Sequence, residues 1–313
     1  MIKRAIITGA TGMIGSTLIE YLVEKGIEVL AICRPDTKRI DHVIIHPKVE
    51  ICLASLGEYK DISSDKTYDV CFHFAWFGTE ASSRQNVYIQ NRNIQYTLDA
   101  VEMAKRMGCH SFIGGGSQAE YGRSKEKLNA KTAIQPETAY GVAKYSAGQM
   151  SLLLARQLGM RHIWTRILSV YGPRDGKETM ITSTINQLLE GEVPKFTKAE
   201  QQWDYLYCTD AAKALYLIAE GGKKEHTYCI GSGIALPLEC YIEQIRKAVN
   251  EKSQVAIGAK PYSEQQVMYL CADLEELTKD TGFLPEVSFQ EGIRKTVDYC
   301  KKIRAFRGDE END

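Results

Sequence analysis

Tyr140 and Lys144 stand four residues apart in the run YGVAK. On a helix that spacing puts both side chains on one face. A free tyrosine titrates near pH 10, too high for easy proton exchange at neutrality. A neighbouring ammonium favours the phenolate, so the pair could act as a general acid or base at a carbonyl or an alcohol. Alone, the spacing is common on amphipathic helices and its ordinary meaning is a surface pair. A second feature lies at the start of the chain, where residues 4–15 read RAIITGATGMIG. An apolar strand runs into Gly9, Gly12 and Gly15, and a helical pattern follows. Glycines let such a turn tighten and let backbone amides approach a pyrophosphate at the positive end of a helix. Thr11, Met13 and Ile14 complete the turn. An ordinary strand-to-helix turn is the alternative, but the strand before and the helix after favour dinucleotide binding.

The end of the next strand bears on which dinucleotide. A carboxylate there would hold the adenosine ribose 2′-hydroxyl of NAD, whereas an arginine would accommodate a 2′-phosphate. The chain reads VLAICRPDTKR, with Cys33 and Arg34 where the acid might stand and Lys38 and Arg39 following. NADP(H) is the expected cofactor, with NAD(H) as the alternative; Asp36 and a simply solvated Arg34 argue the other way.

These residues need rigid elements to hold them. Strands are expected at Arg4–Ile7, Glu28–Ile32, Val49–Leu53, Val70–Phe74, Phe112–Gly114 and Ile163–Leu168. Between the first two, Ile14, Leu18 and Leu22 recur every four residues, and Gly26 sits where a C-terminal cap belongs. Helices are expected at Gln90–Met107 and Thr138–Leu158. Apolar strands alternating with helices predict an α/β fold, a doubly wound parallel sheet with a smaller α/β lobe at the C-terminal end. After Gly172-Pro173 the rhythm loosens. Helix Ile181–Glu190, strand Tyr205–Tyr207, helix Ala211–Glu220, strand Thr227–Ile230 and helices Leu238–Asn250 and Phe289–Arg304 are expected. Residues 1–172, with returning segments near 205–232, would form the dinucleotide-binding domain. Residues 173–204 and 233–313 would form the smaller lobe, with 308–313 a frayed acidic tail.

Composition bounds the partners. The 313 residues are 44% hydrophobic and 25% charged, with a net charge of −1. That balance fits a globular protein and carries no basic footprint for nucleic acid and no polybasic membrane signal. No apolar run reaches transmembrane length, and the first residues enter a strand without a signal-peptide pattern. Nine cysteines (33, 52, 71, 109, 208, 229, 240, 271, 300) form no CxxC pair, which suggests reduced thiols and a cytoplasmic protein. No metal is expected: His42 and His46 lie four apart but lack further ligands, and no HExxH occurs. Ser117 is not embedded in GxSxG, so hydrolase chemistry is not indicated.

Taken together, TGATGMIG, VCFHFAW, GGGSQAEYG, YGVAK and RILSVYGP resemble the extended short-chain dehydrogenase/reductase superfamily, specifically its NAD-dependent epimerase/dehydratase family. The resemblance spans nearly the whole chain. It implies a Rossmann domain and a C-terminal lobe that binds a nucleotide-diphosphate sugar. It makes Tyr140 the catalytic acid or base and gives Lys144 two tasks, binding the nicotinamide ribose and lowering the tyrosine pKa. Ser117 would hydrogen-bond the reacting sugar oxygen. Phe74 and Ala75 would line the cofactor, and Ser55-Leu56 would stand beside adenine where relatives carry Asp-Leu. Asn93 matches a family asparagine or is ordinary helix packing. His73 is read as a buried strand-end histidine. Relatives pair the helices around Asn93 and Tyr140 into a dimer, so a homodimer is expected.

The departures narrow the chemistry. Dehydratases place Asp-Glu after the hydroxyl residue; here Gln118 and Ala119 cannot exchange a proton, which disfavours dehydration. Glu120 would point away from Ala119 along an extended segment. The three are expected beside the substrate. So are Ser169, where relatives carry Asn, Trp203, where they carry Arg, and Phe196, which could stack on a base. A later arginine is also missing, with Lys260 and Tyr262 in its region, so bidentate phosphate contacts are fewer. Arg174, Lys177, Lys195 and Lys198 could compensate. The expected activity is NAD(P)-dependent reduction of a nucleotide-activated keto-sugar, with C4 as the candidate carbon. A nucleotide-sugar 4-epimerase with tightly held NAD is the rival, and a non-catalytic NADP-sensing protein is the alternative of another class.

Overall fold

The computed structural model describes residues 1–310, with side chains through residue 305. Its centre is a seven-stranded sheet built from β1 (Arg4–Thr8), β2 (Glu28–Cys33), β3 (Val49–Leu53), β4 (Val70–His73), β5 (Ser111–Ser117), β6 (Arg161–Ile167) and β10 (His226–Ile230). The spatial order is β10-β6-β5-β4-β1-β2-β3, and every pairing is parallel. β1, β4 and β5 are buried along almost their whole length, as expected for a sheet covered on both faces. Leu18, Ile19 and Leu22 of α1 (Met13–Glu24) join Ala211, Leu215 and Ile218 of α5 (Cys208–Gly221) on one face. Ala100, Val101 and Ala104 of α2 (Val87–Arg106) and Ala155 of α3 (Ala139–Gln157) cover the other. The chain runs from β1 outward through β2 and β3, then returns on the far side as β4. That reversal opens a crevice beyond the carboxyl ends of β1 and β4.

Some boundaries move for identifiable reasons. β5 runs from Ser111 to Ser117, straight through three glycines at which a strand would be expected to stop. The neighbour across the ladder explains it: Trp164 of β6 pairs with Gly114, and a Cβ at Gly114 or Gly116 would lie 2.2 or 2.3 Å from its indole. α2 starts at Val87 because the Asn86 side chain accepts the amides of Tyr88 and Ile89. Thr138 caps α3 in the same way, accepting the Gly141 amide, so YGVAK occupies the first turns of that helix. Gly26 follows α1 in the left-handed region, at φ 81°.

The second half holds β7 (Ser169–Tyr171), α4 (Met180–Leu189), β8 (Gln202–Trp203), β9 (Tyr205–Tyr207), β11 (Leu236–Pro237), α6 (Leu238–Val249), α7 (Glu275–Thr281) and α8 (Phe289–Glu310). β9 pairs with β7 in a separate two-stranded sheet rather than with the central one, and β8 pairs with β11. Tyr171, Ile185, Tyr207, Ile245, Ile293 and Val297 form a second core beside the sheet. The acidic ending departs from expectation: α8 continues through Glu310, and residues 311–313 lie outside the described residues. Among the described residues no helix is long and apolar enough to cross a membrane.

Candidate active site

The glycine turn shows three different demands for a missing Cβ. Gly9 takes φ 69°, and a Cβ there would stand 2.7 Å from the Ala75 amide. At Gly15 a Cβ would meet the Gly9 carbonyl at 2.3 Å, so this glycine brings α1 against the turn. Gly12, the N-cap of α1, has an ordinary φ of −76° and meets only the Gly9 oxygen at 3.3 Å. The open space above Gly12 lies at a helix N-terminus, where a pyrophosphate would take it. Gly9, Thr11 and Gly12 wall a groove of about 670 Å³ that also touches Arg34, Leu56, Phe74 and Ala75. These residues fit a bound dinucleotide. Ile14 lines the adjoining cleft instead. Met13 turns its side chain into the lobe core, and Ser55 spends its hydroxyl and amide on a capping box with Glu58. Ala54, Leu56 and Tyr59 line the groove at the place where Ser55 was expected.

The same end of the groove is rimmed by Arg34, Lys38 and Arg39. Arg34 pairs with Asp36 at 3.9 Å, both well exposed, so the pairing is weak and the guanidinium stays available. Cys33 is buried, and burial pushes its thiol up to about 11, which keeps it protonated and neutral. His73 ends β4 underneath. Its ring bonds Thr8 at 2.8 Å and Thr97 at 3.4 Å, and burial followed by the charge of Lys144 pushes it down to about 3. It is a neutral strut rather than a ligand. The Asn93 side chain bonds both the amide and the carbonyl of Phe77, clipping the loop after β4 to α2.

The groove opens past Phe74 and Trp76 into a cleft of about 470 Å³, which holds the expected catalytic residues. Ser117 ends β5, Tyr140 and Lys144 lie on the first turns of α3, and all three line the cleft, with the Ser117 hydroxyl accepting the Ala119 amide at 3.2 Å. Lys144 donates to the Gly115 carbonyl at 2.6 Å, and its ammonium stands 3.8 Å from the centre of the Trp76 indole. Burial pushes Lys144 down to about 7, against the pull of Glu120. Burial likewise pushes the Tyr140 phenol above its ordinary value; the Arg84 guanidinium and then the Ser117 side chain oppose it, while Glu120 adds to it. The arrangement can move a proton to or from an oxygen in the cleft.

Of the residues expected beside a substrate, Gln118, Ser169 and Trp203 line the cleft, and the Trp203 indole donates to the Ser169 hydroxyl at 2.8 Å. Ala119 and Glu120 do not line it. The short helical turn 118–120 folds Glu120 back into the interior, where its carboxylate accepts from Arg166 at 2.7 Å, the Ser117 amide at 2.8 Å and the Trp164 indole at 3.0 Å. Its carboxylate is spent on these structural bonds and does not reach the cleft beside Ser117. Phe196 packs near Ala199, Leu238, Tyr241 and Ile242 in the lobe, away from the cleft wall. Arg174 is engaged as well: it ion-pairs with Glu20 of α1 and donates to the His42 carbonyl, while the His42 ring bonds the Thr11 carbonyl at 3.0 Å. Burial leads in pushing His42 below its ordinary value.

Sequence reasoning missed three groups in the cleft. Trp76 follows Ala75 directly, and its indole donates to Gln90 at 2.9 Å. Arg84 lies in the loop before α2, where no periodicity marks it. Asp175 faces the cleft from the loop after β7, and burial pushes its carboxyl up to about 6 against bonds from Thr179 and the Gly176 amide. Among the described residues no group of three or more His, Cys, Asp or Glu is arranged to hold a metal.

A parallel sheet with a glycine-turn groove at its reversal point, meeting a Tyr-Lys-Ser cluster, defines a Rossmann-type nucleotide enzyme fold. The chain belongs to the NAD dependent epimerase/dehydratase family, whose profile matches residues 5–231. It is 27% identical to a Methanocaldococcus jannaschii protein provisionally assigned as a UDP-glucose 4-epimerase, over 95% of this chain and 98% of that one. It is 25% identical to a dTDP-4-dehydro-6-deoxyglucose reductase of Escherichia coli, over 96% and 97%. Among solved structures, the UDP-glucose 4-epimerase of Thermotoga maritima with UDP-glucose superimposes with a TM-score of 0.86 at 23% identity, covering 96% of this chain and 99% of that one.

Proposed function

We propose that the protein reduces a keto group on a nucleotide-activated sugar, with C4 as the reacting carbon and NADP(H) as the preferred dinucleotide. The observation that carries this reading is the meeting of a basic-rimmed groove with a Ser117–Tyr140 proton-transfer pair whose neighbouring acid positions are empty of acid. The bound dinucleotide would supply hydride to the carbonyl carbon. Tyr140 gives the proton to the oxygen, Ser117 steadies that oxygen by hydrogen bonding, and Lys144 takes the nicotinamide ribose hydroxyls. Fixed donors at a developing oxyanion contribute about 3 kcal/mol each. Arg34, Lys38 and Arg39 support the 2′-phosphate preference. Ser169 and Trp203 hold the sugar-nucleotide end of the cleft, and relatives that act on UDP- and dTDP-sugars support that substrate class.

A second reading, 4-epimerisation with a retained dinucleotide, is favoured by the contacts of Arg174 with Glu20 and His42, which tie the loop after β7 to the glycine turn. Incubating the protein with NADPH and a panel of 4-keto and 4-hydroxy UDP- and dTDP-sugars separates the two. Net loss of NADPH absorbance with a 4-keto sugar is the expected result; interconversion of epimers without net consumption would replace reduction by epimerisation. Tyr140→Phe should abolish turnover in either case while leaving NADPH binding nearly intact, and retained turnover would overturn the assigned role. The described cysteines are all unpaired, which supports a cytoplasmic location. Exposed Val87 and Tyr88 of α2 and Val142, Met150 and Leu153 of α3 support a homodimer through these helices.

A further inference from the structure

The cleft has two walls that differ in charge. On the side of the sheet Ser117, Tyr140, Lys144 and Arg84 line it, and both of its cations stand there. On the side of the lobe the lining includes Ser169, Trp203 and Tyr205, with Thr179, Met180 and Ile181 at the start of α4, all uncharged. Asp175 stands among them, in the loop between β7 and α4. It is the single carboxylate among the described residues that line the cleft. Its own loop fixes its place. One carboxylate oxygen accepts the Gly176 amide at 2.7 Å, and the other accepts the Thr179 hydroxyl at 2.9 Å. Thr179 is in turn the N-cap of α4 and accepts the Thr182 amide, so the carboxylate is braced against a helix start. An ionised carboxylate offers about four acceptor sites, and these two bonds leave half of them open. Nothing in the proton transfer at Tyr140 uses them.

We propose that Asp175 sets the charge selectivity of the sugar subsite: its open acceptor sites take hydroxyl groups of a neutral hexose, and its charge turns away a sugar that carries a carboxylate at C6. The proposal deepens the nucleotide-sugar reading above and rests on it. Once a C4 oxygen is held at Ser117 and Tyr140, the substituents of C3 and C5 must face the remaining lining of a cleft of about 470 Å³. A hydroxyl there gains a charge-assisted bond to the carboxylate. A second carboxylate in the same space meets a like charge partly shielded from water, where repulsion is stronger than in bulk solvent. The neutral side chains around Asp175 offer it no counter-ion, and the Arg84 Nε on the other wall is spent on the Thr79 carbonyl at 2.8 Å. Burial pushes the Asp175 carboxyl up to about 6, opposed by Thr179, the Gly176 amide and then the Arg39 guanidinium, so the group is ionised at about pH 8.

The test is calorimetric binding at about pH 8 with excess NADP+, comparing the parent with Asp175→Asn. The probes are UDP, UDP-glucose and UDP-glucuronate, and then their dTDP counterparts. The amide keeps an acceptor for Gly176 and a group that can meet Thr179, while the charge is gone. The parent should hold the glucose form about tenfold more tightly than the glucuronate form, and Asp175→Asn should bring the two within about threefold. The bare nucleotide should bind equally to both proteins, a result that a merely loosened loop would not give. Equal affinity of the parent for the two sugars would overturn the proposal. So would a preference that survives in Asp175→Asn, or a loss of the bare nucleotide there, which would make Asp175 a brace of its loop. If no nucleotide or sugar nucleotide binds the parent, the nucleotide-sugar reading fails and takes this role with it; if they bind without discrimination, only the role of Asp175 fails.

Discussion

Glu120 shows how a single burial decides between two chemistries. A carboxylate three residues after Ser117 could have served as an acid in the cleft, and its sequence position alone leaves that open. In the fold it is fully buried, and Arg166, the Ser117 amide and the Trp164 indole fill its acceptor sites. A carboxylate so engaged is turned away from the cleft and reaches no substrate there. Arg166 depends on it in turn, with Tyr121 as its other partner at 2.9 Å. Glu120→Ala would strand a guanidinium in the interior, and removing one partner of a buried pair costs about 3–5 kcal/mol. It would also release the Ser117 amide. The expected outcome is a denaturant midpoint well below that of the parent, with lower kcat in whatever fraction remains folded. A midpoint equal to the parent's would show that Arg166 finds another partner.

The elements differ in how clearly the chain announces them. α1 and the strands β1 and β2 were legible because period-four and apolar runs are local patterns, and Gly9, Gly12 and Gly15 carry their own geometry. β5 was legible only over Phe112–Gly114; its run on through Gly115 and Gly116 to Ser117 follows from Trp164, which is about fifty residues away and carries no mark of its partner. The pairing of β7 with β9 was hidden for the same reason, as were the two-residue strands β8 and β11. Tyr140, Lys144 and Ser117 were legible as a motif, and Gln118, Ser169 and Trp203 by position. Arg84, Trp76 and Asp175 sit on loops, where sequence periodicity says nothing about direction. α2 and α3 pose a question at this scale. Their inner faces cover the sheet, yet α3 leaves Val142, Met150 and Leu153 between 46% and 53% exposed. Covering such a stripe with a second copy removes apolar surface from water at about 25 cal/mol per Å². Sedimentation should give a dimer for the parent chain and a monomer for a Val142→Glu, Leu153→Glu double variant. A parent that sediments as a monomer at micromolar concentration would remove the homodimer.

The whole molecule carries a pH dependence that begins in its interior. His73 and His162 lie on the α2–α3 side of the sheet, and burial pushes them down to about 3 and about 4. His162 is stacked between Phe112 and Trp164, at ring separations of 5.8 and 6.1 Å, and bonds Ser151 at 2.9 Å. Burial opposes a charged ring there, and the Glu225 carboxylate offsets it only in part. In the unfolded chain both histidines titrate near 6.5. Between that value and their folded values the unfolded state binds more protons than the folded one, so stability falls as pH drops. Their contribution is complete above about pH 6.5 and declines from there toward pH 4, with His73 continuing to lose ground below His162. Lys144 has the same sign at higher pH: its folded value near 7 lies below that of a free lysine, so the cost of burying it falls as pH rises from 7 towards 10. Urea midpoints should therefore fall steadily from pH 6.5 to pH 4.5. His162→Phe keeps the stack with Phe112 and Trp164 and removes one titration, so its midpoint should decline less over the same interval. An equal decline in both proteins would remove His162 from the acid sensitivity.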